Sequence, residues 1–413
     1  MAKKTVADIE VKGKKVLMRC DFNVPLDENC NITSDDRIVK ALPTIKAILE
    51  GGGSLILMSH LGRPKGERVE KLSLAPVAKR LSELLGIEVA FANDCVGSEA
   101  QDKAKALQPG QVLLLENLRF RKEETIKDKA AKEDTQLRSA KDQFAKQLAD
   151  MADIYVDDAF GTAHRDNASM FTVPQQMEGK PRVAGFLIEK ELKFLGDTLK
   201  NPERPFVSIL GGAKVSDKIG VIENLISKVD RILIGGAMAY TFFKSKGLPV
   251  GESLCEDDFV DKAATLLEQA QDTGCEMILP VDNVVAREFK ANAEHQVVGD
   301  SIDTGWQGLD IGPATQALFT KKLEDAKTVV WNGPMGVFEM EPFDAGTKAV
   351  AQAVANATSK GARTVIGGGD SASAIKKLGL EDQVSHISTG GGASLEFLEG
   401  KQFVCLEILD EKD

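Results

Sequence analysis

Three arginines and two histidines fall where short apolar runs of the chain give way to polar residues. In the first half these ends read Asp21-Phe22-Asn23, Ser59-His60-Leu61-Gly62-Arg63-Pro64, Glu116-Asn117-Leu118-Arg119-Phe120 and Asp157-Asp158-Ala159-Phe160-Gly161-Thr162-Ala163-His164-Arg165. A fourth arginine, Arg37, opens a helical segment, where the helix dipole disfavours a cation. Planar guanidinium forks bind carboxylate and phosphate through two parallel hydrogen bonds. A phosphate monoester carries about −1.5 to −2 charge at pH 7, so four arginines suit a small acid that also bears phosphate. Asp21 is then placed to accept a hydrogen bond from a ligand hydroxyl, and Asn23 to accept or donate one. For any one arginine the alternative is a surface bridge to Asp21, Asp36, Asp157 or Asp158, worth ~0–1 kcal/mol. Three arginines at successive run ends favour the ligand.

The second half ends its apolar runs differently, in Gly211-Gly212-Ala213-Lys214, Gly235-Gly236-Ala237, Asn332-Gly333-Pro334, Gly367-Gly368-Gly369-Asp370 and Thr389-Gly390-Gly391-Gly392. Glycine lets backbone N–H groups approach a phosphate, and a following helix N-terminus adds favourable partial charge. Lys214 and Lys218 lie four apart, so both ammoniums can share a helix face, at a cost of a few tenths of a kcal/mol unless an anion sits between them. A single Gly-Gly serves equally well as a plain turn; several together favour a nucleotide. Familiar alternatives are missing. There is no G-x-x-x-x-G-K-[ST] loop, no G-x-G-x-x-G after the first run and no G-x-S-x-G elbow. His164-Arg165-Asp166 imitates a protein-kinase triplet, but Phe171 stands where asparagine is needed.

The elements that must present these ends are strands at Val16–Met18, Ser54–Met58, Val112–Leu115, Ile154–Val156, Val207–Leu210, Ile232–Ile234, Met277–Leu279, Thr328–Trp331, Thr364–Ile366 and Val384–Ile387. Amphipathic helices such as Arg37–Leu49 and Leu74–Leu85 lie between them. Continuous apolar strands alternating with helices predict parallel sheets covered on both faces, and ligands of such sheets bind beyond the carboxyl ends of the strands. The fold class is α/β: two doubly wound, Rossmann-like parallel-sheet domains joined by an interdomain helix and hinge. The first domain spans residues 1–186, with 400–413 returning to it, and the second spans 187–399. Leu187-Ile188 lead into a helix over Glu189–Leu195, which Asn201-Pro202-Glu203-Arg204-Pro205 breaks. The charged segment Glu123–Lys146 reads as a solvated helical insertion.

Composition narrows the partners. The net charge is −11, with 43% hydrophobic and 28% charged residues, which argues against a general nucleic-acid or anionic-membrane surface. Aromatics supply only 5%, too few for base-stacking platforms. No apolar stretch approaches the ~18 residues of a membrane span, and Met1–Asp8 lacks the apolar core of a secretory signal. The six cysteines form no C-x-x-C pair and there are four histidines, so a zinc site or disulfide framework is not expected. A reduced, cytoplasmic protein is expected.

Taken together, Arg19-Cys20-Asp21-Phe22-Asn23-Val24-Pro25, Ser59–Pro64, Glu116–Phe120, Asp158–Arg165, Gly211–Lys218, Trp331–Glu339 and Gly367–Asp370 closely resemble the phosphoglycerate kinase family, in order and over nearly the whole chain. Cys20 stands where valine is common there, and Ser371 where threonine is. The resemblance implies a monomeric, hinge-bending glycolytic enzyme that moves a phosphoryl group between ATP and 3-phosphoglycerate with Mg²⁺. It puts phosphoglycerate on Asp21, Asn23, Arg37, His60, Leu61, Gly62, Arg63, Arg119 and Arg165. Nucleotide falls on Gly212, Ala213, Lys218, Gly308, Asn332, Glu339 (at the ribose) and the turn Gly367, Gly368, Gly369, Asp370 and Ser371. Asp370 would hold Mg²⁺, and Arg37 and Lys214 would flank the phosphoryl group. The turn Gly390–Gly392, opening a helix Ala393–Leu398, would add a helix N-terminus facing that group. Gln402–Leu409 would return to the first domain. A closing non-catalytic binder of anions would lack the glycine turns, and a nicotinamide-dependent oxidoreductase would need the missing dinucleotide fingerprint.

Overall fold

Apolar runs become parallel strands buried on both faces. The computed structural model describes residues 2–412, in two units. The first comprises the described residues of Met1–Leu192 and Gln402–Asp413. Here β1 (Lys15–Cys20), β2 (Ser54–Met58), β3 (Val89–Ala92), β4 (Val112–Leu115), β5 (Ile154–Asp158) and β6 (Arg182–Ala184) form a sheet in the order β3-β4-β2-β1-β5-β6. Every pairing in it is parallel. Parallel neighbours need crossover connections, and the helices between strands supply them. The helix Asp36–Glu50 buries Ile38, Ala41, Ile45 and Ile48, spaced three or four apart as a one-sided stripe requires. That stripe joins the core built on Val16, Met18, Leu55 and Leu57. Strand order reverses beside β1, because the connection from β4 to β5 crosses to the other side of it. Such a reversal opens a crevice at the carboxyl ends of the flanking strands, and those are the ends that carry Asp21 and the Asp158–Arg165 loop.

Lys193–Lys401 make the second unit. It contains β7 (Phe206–Leu210), β8 (Arg231–Ile234), β9 (Glu276–Ile278), β10 (Asn283–Ala286), β11 (His295–Val298), β12 (Gln307–Ile311), β13 (Thr328–Asn332), β14 (Arg363–Gly367) and β15 (His386–Ile387). Six of these form a parallel sheet in the order β15-β14-β13-β7-β8-β9. The remaining three form an antiparallel sheet, β11-β10-β12. Trp331 is fully buried, and its indole N–H donates to Gly333 O at 2.7 Å, fixing how the chain leaves β13.

Several features differ from the sequence reading. β3 and β6 are short edge strands, and the antiparallel sheet is wholly additional. The helix before the break begins at Phe186, so Leu187 and Ile188 belong to it. It is capped by Asp158, whose Oδ1 accepts from Leu187 N at 2.9 Å and Ile188 N at 3.2 Å. It turns π-helical over Leu192–Gly196, and the division between units falls at Leu192 and Lys193. The Glu123–Lys146 segment is not simply solvated. Glu124 and Lys141 are both fully buried, and Lys141 Nζ donates to Asp166 O at 2.7 Å and pairs with Asp128 at 3.0 Å. Gln402–Asp413 belong to the first unit, where Asp410 O accepts from Lys4 N at 2.8 Å.

The glycines separate by surroundings. A Cβ on Gly333, whose φ is 97°, would strike the Gly211 carbonyl, and one on Gly211 would strike Pro334 O. Gly333→Ala is therefore expected to lower stability by about 3 kcal/mol, combining a left-handed backbone with a main-chain clash. Gly274→Ala, at φ 74° with nothing within 4 Å, should lose only about 1 kcal/mol. Urea unfolding compares the two; equal losses would show that the Gly211–Gly333 contact is not tight.

Candidate functional site

Strand ends of the first unit are tied together by side chains that bond main-chain groups of the neighbouring loops. Ser59 Oγ accepts from Phe22 N at 2.8 Å, and Asn23 Oδ1 accepts from Gly62 N at 2.8 Å. Asn117 holds the next loop from both sides: Oδ1 accepts from Leu61 N at 3.2 Å, and Nδ2 donates to Leu61 O at 2.7 Å and Leu72 O at 2.9 Å. Glu116 accepts from Leu74 N at 2.8 Å and Ser73 Oγ at 2.7 Å. Leu61 is buried and both its main-chain groups are occupied, so Leu61 and Gly62 shape the loop carrying Arg63. Asn117 and Glu116 received no role from the sequence. Their position, polar at the exit of an all-apolar strand, is the signal that marks them.

On this frame the cations converge. Arg119 is 7% exposed and donates through one guanidinium nitrogen to Gly62 O at 2.7 Å. Burial, then repulsion from Arg19 and Arg165 and, more weakly, Arg63, pushes its pKa down to about 10, against the pull of Glu124. It stays charged at neutral pH. Arg165 Nε donates to His164 Nε2 at 3.2 Å. Arg37 pairs with Asp21, so the surface-bridge alternative holds for that arginine. Arg63, Arg119 and Arg165 have no carboxylate within salt-bridge distance among the described residues. Asp157 and Asp158 cap main-chain amides instead: Asp157 Oδ1 accepts from Ala159 N at 3.0 Å, and Asp158 serves the Phe186 helix. Burial raises both carboxyls to about 7.

His60 sits among these groups, 3% exposed, with Nδ1 3.1 Å from an Arg19 guanidinium nitrogen. Burial, and after it the charges of Arg19, Arg119, Arg37 and Arg165, hold its pKa well below the ordinary value. Arginine can only donate, so Nδ1 accepts and the ring proton resides on Nε2.

In the second unit the loop after β7 is open. Gly212 adopts φ 110° with free space around it, and Ala213 and Lys214 are exposed, with no acceptor for their amides among the described residues. Lys214 and Lys218 do not share a helix face, because the helix begins only at Ile219 and Lys218 caps it. Lys218 Nζ donates to Asn332 Oδ1, and burial lowers its pKa while Asp217, Asp370 and Glu399 support the charge. Asn332 is 2% exposed and its Nδ2 lacks a partner, close to where Gly367 and Gly368 lack side chains. Gly368 (φ 87°) leads into the helix Gly369–Lys377, which exposes Asp370 in its first turn. Ser371 is buried, and its hydroxyl accepts from Gly333 N at 2.7 Å, so it fastens two turns together. Gly308 lies in β12, where a Cβ would strike the Tyr240 hydroxyl, and Glu339 is exposed. Gly391 (φ 52°) caps the short helix Gly392–Leu398.

Guanidinium-rich strand ends in one parallel α/β unit and open glycine turns in another define a protein of the α/β class equipped for anionic, phosphorylated ligands. The family model for phosphoglycerate kinase matches residues 6–401. A curated phosphoglycerate kinase of Chlorobium phaeobacteroides (strain BS1) is 57% identical over 412 residues, covering 100% of both chains. One from Thermosipho africanus is 57% identical over 404 residues, covering 97% of this chain and 96% of its own. The solved phosphoglycerate kinase of Coxiella burnetii superposes with TM-score 0.86 at 42% identity, covering 98% of each chain. That of Pyrococcus horikoshii gives 0.81 at 32% identity, covering 99% of this chain and 98% of its own. The chain belongs to the phosphoglycerate kinase family.

The His60 environment carries a pH signature. An unfolded imidazole takes up a proton below about pH 6.5, whereas the folded ring does so only at lower pH. Between those values the unfolded chain binds the extra proton, so stability is complete above pH 6.5 and falls as pH drops. The slope contributed is at most about 1.4 kcal/mol per pH unit. His60→Gln is expected to flatten the stability profile from pH 6.5 to 5.5 by up to that amount, measured by urea unfolding. Parallel profiles would mean that His60 titrates normally.

Proposed function

We propose that the protein catalyses reversible phosphoryl transfer between ATP and the carboxylate of 3-phosphoglycerate, giving ADP and 1,3-bisphosphoglycerate, as a step of glycolysis. The observation that carries this reading is the convergence of Arg119, Arg165 and Arg37 on His60, with Arg63 near Arg119; Arg63, Arg119 and Arg165 have no carboxylate within salt-bridge distance among the described residues. Held charge of one sign at the carboxyl edge of a parallel sheet is matched by a small acid that carries both a carboxylate and a phosphate. Arg63, Arg119 and Arg165 take its phosphate, His60 donates from Nε2, and Asp21 and Asn23 meet its hydroxyl. Arg37, which pairs with Asp21, supplies a cation for the phosphoryl group.

The nucleotide phosphates lie over Gly212 and Ala213 and the Gly367–Asp370 turn, with Lys218 and Asn332 beneath them and Glu339 at the ribose. The attacking group is the substrate carboxylate, ionised at pH 7, so no general base has to be supplied. Its oxygen forms a bond to the γ-phosphorus while the bond to the ADP oxygen breaks. Such a transfer depends on alignment and on charge stabilisation at the equatorial oxygens, which the cations Arg37 and Lys214 provide.

Mg²⁺ fits Asp370. Its carboxylate is exposed, has no hydrogen-bond or salt-bridge partner among the described residues, and stands beside the open Gly368–Gly369 turn. No group of three His, Cys, Asp or Glu among the described residues forms a closed cage, and Mg²⁺ commonly takes one or two carboxylates plus substrate phosphates. When bound, the ion neutralises charge on the nucleotide phosphates. Among the described residues no helix is long and apolar enough to cross a membrane. Action on small molecules, as a monomer in the cytoplasm and without nucleic-acid or membrane partners, is the working reading, supported by six free cysteines and net acidity.

A coupled assay with purified protein, ATP, Mg²⁺ and 3-phosphoglycerate tests the activity directly. In it Lys214→Ala should lower kcat by roughly 10²–10³, the scale of losing one preorganised electrostatic donor, with nucleotide affinity nearly intact. Equal loss of both would assign Lys214 to ground-state binding. Arg63→Ala should raise KM for 3-phosphoglycerate and leave KM for ATP unchanged; a selective ATP defect would reverse the assignment of ligands to units.

A further inference from the structure

Arg19 is fully buried in the middle of the first sheet, at the fifth position of a strand that is apolar from Val16 to Met18. A buried charge is costly unless it is paired and hydrogen-bonded, yet no carboxylate lies within salt-bridge distance of its guanidinium among the described residues. Asp157 faces Arg19 in register across β1 and β5, but it spends Oδ1 on Ala159 N, and its Oδ2 has no partner. Arg19 uses its donors in three directions instead. One guanidinium nitrogen bonds Cys20 O, another meets His60 Nδ1 at 3.1 Å, and Nε donates to Ser169 Oγ at 3.0 Å. Ser169 passes the contact on, donating its hydroxyl to Glu124 Oε1 at 2.7 Å and its amide to Glu124 Oε2 at 2.9 Å. All four side chains are buried, and Ser169 lies in a π-helical turn, Ala168–Thr172, three residues beyond Asp166.

We propose that Glu124, Ser169 and Arg19 form a positioning relay that fixes His60 as a neutral donor, with its Nε2–H presented to the anionic acid ligand. The inference rests on the phosphoglycerate assignment of His60 and deepens it. The Glu123–Lys146 segment thereby gains a role in ligand binding. Glu124 supplies the negative end of the relay, and Lys141, bonded to Asp166 O, holds the loop on which both Arg165 and Ser169 ride. None of the three relay residues touches the ligand. Loss of a link should therefore loosen the ring orientation, and so weaken binding of the acid, while leaving the chemistry of transfer in place.

Two measurements on the full-length protein test this. First, long-range proton–nitrogen NMR of the imidazoles at pH 7, with His60 assigned by the signal missing in His60→Gln, should show a single neutral tautomer protonated at Nε2. A ring protonated at Nδ1, or a charged ring, overturns the relay without recourse to any other variant. Second, Ser169→Ala should raise KM for 3-phosphoglycerate roughly three- to tenfold, the scale of one buried hydrogen bond, with KM for ATP unchanged and kcat within about twofold. Glu124→Gln should act in the same direction, and combining it with Ser169→Ala should add nothing, because the link is already cut. Additive effects, or an unchanged KM in both single variants, would reduce the chain to a structural contact. Should His60→Gln itself leave KM for 3-phosphoglycerate untouched, the ligand assignment fails, whereas the tautomer result stands or falls separately.

Discussion

Cations gathered at neighbouring strand ends, and the neutral groups that hold their loops, set the character of the first unit. Arg63, Arg119 and Arg165 are brought close by strand ends whose spacing the parallel sheet dictates, and the pKa of Arg119 is lowered first by burial and then by repulsion from Arg19, Arg165 and, more weakly, Arg63. Partial burial makes it stronger, since the effective dielectric falls away from bulk water. What holds the groups in place is a neutral scaffold: Asn117 on both sides of Leu61, Asn23 on Gly62, Gly62 O on Arg119. An anion that binds the folded state alone relieves this repulsion and stabilises the protein by mass action. Selectivity follows from the same arrangement. A ligand with too little charge leaves the cations unneutralised.

The second unit uses charge sparingly. Lys214 stands exposed, Lys218 is committed to Asn332, and much of the lining is main chain. A nucleotide would bring more charge than these two lysines carry, which is why the proposed site also draws on Asp370 for a metal ion and on backbone N–H groups. The glycines here are of two kinds. Gly212 and Gly369 leave space open where a Cβ would sit, whereas Gly211, Gly236 and Gly333 are crowded by neighbouring main chain and Gly235 by the Met335 side chain.

Much of this was legible in the residues. Ten apolar runs read as strands are strands, and the arginines at their ends do gather, because a run of Val, Leu and Ile in a parallel sheet needs no partner sequence to be recognised. β3 and β6 are harder to read, since Val89-Ala90-Phe91-Ala92 is half exposed at a sheet edge and Arg182–Ala184 is only three residues long. The antiparallel strands β10 to β12 carry asparagine, histidine, glutamine and aspartate within four- or five-residue stretches, which leaves no period to read. Glu124 and Lys141 defeat sequence reasoning for another reason. Charged residues in a polar segment read as surface, and only tertiary packing supplies the amides, hydroxyls and carbonyls that let them go inside. The lysines at 214 and 218 were displaced by a late helix start, a boundary that spacing alone does not locate.

Turns that rest main chain against main chain have a consequence for how this protein can change over generations. Gly236 and Gly333 face only main-chain atoms of Gly211, Gly212 and Pro334, with no side chain beside them to be trimmed, whereas Gly211 also meets the Met335 side chain. At Gly236 and Gly333 a larger side chain has no compensating change beside it, so substitution there is expected to be excluded even while the surroundings vary.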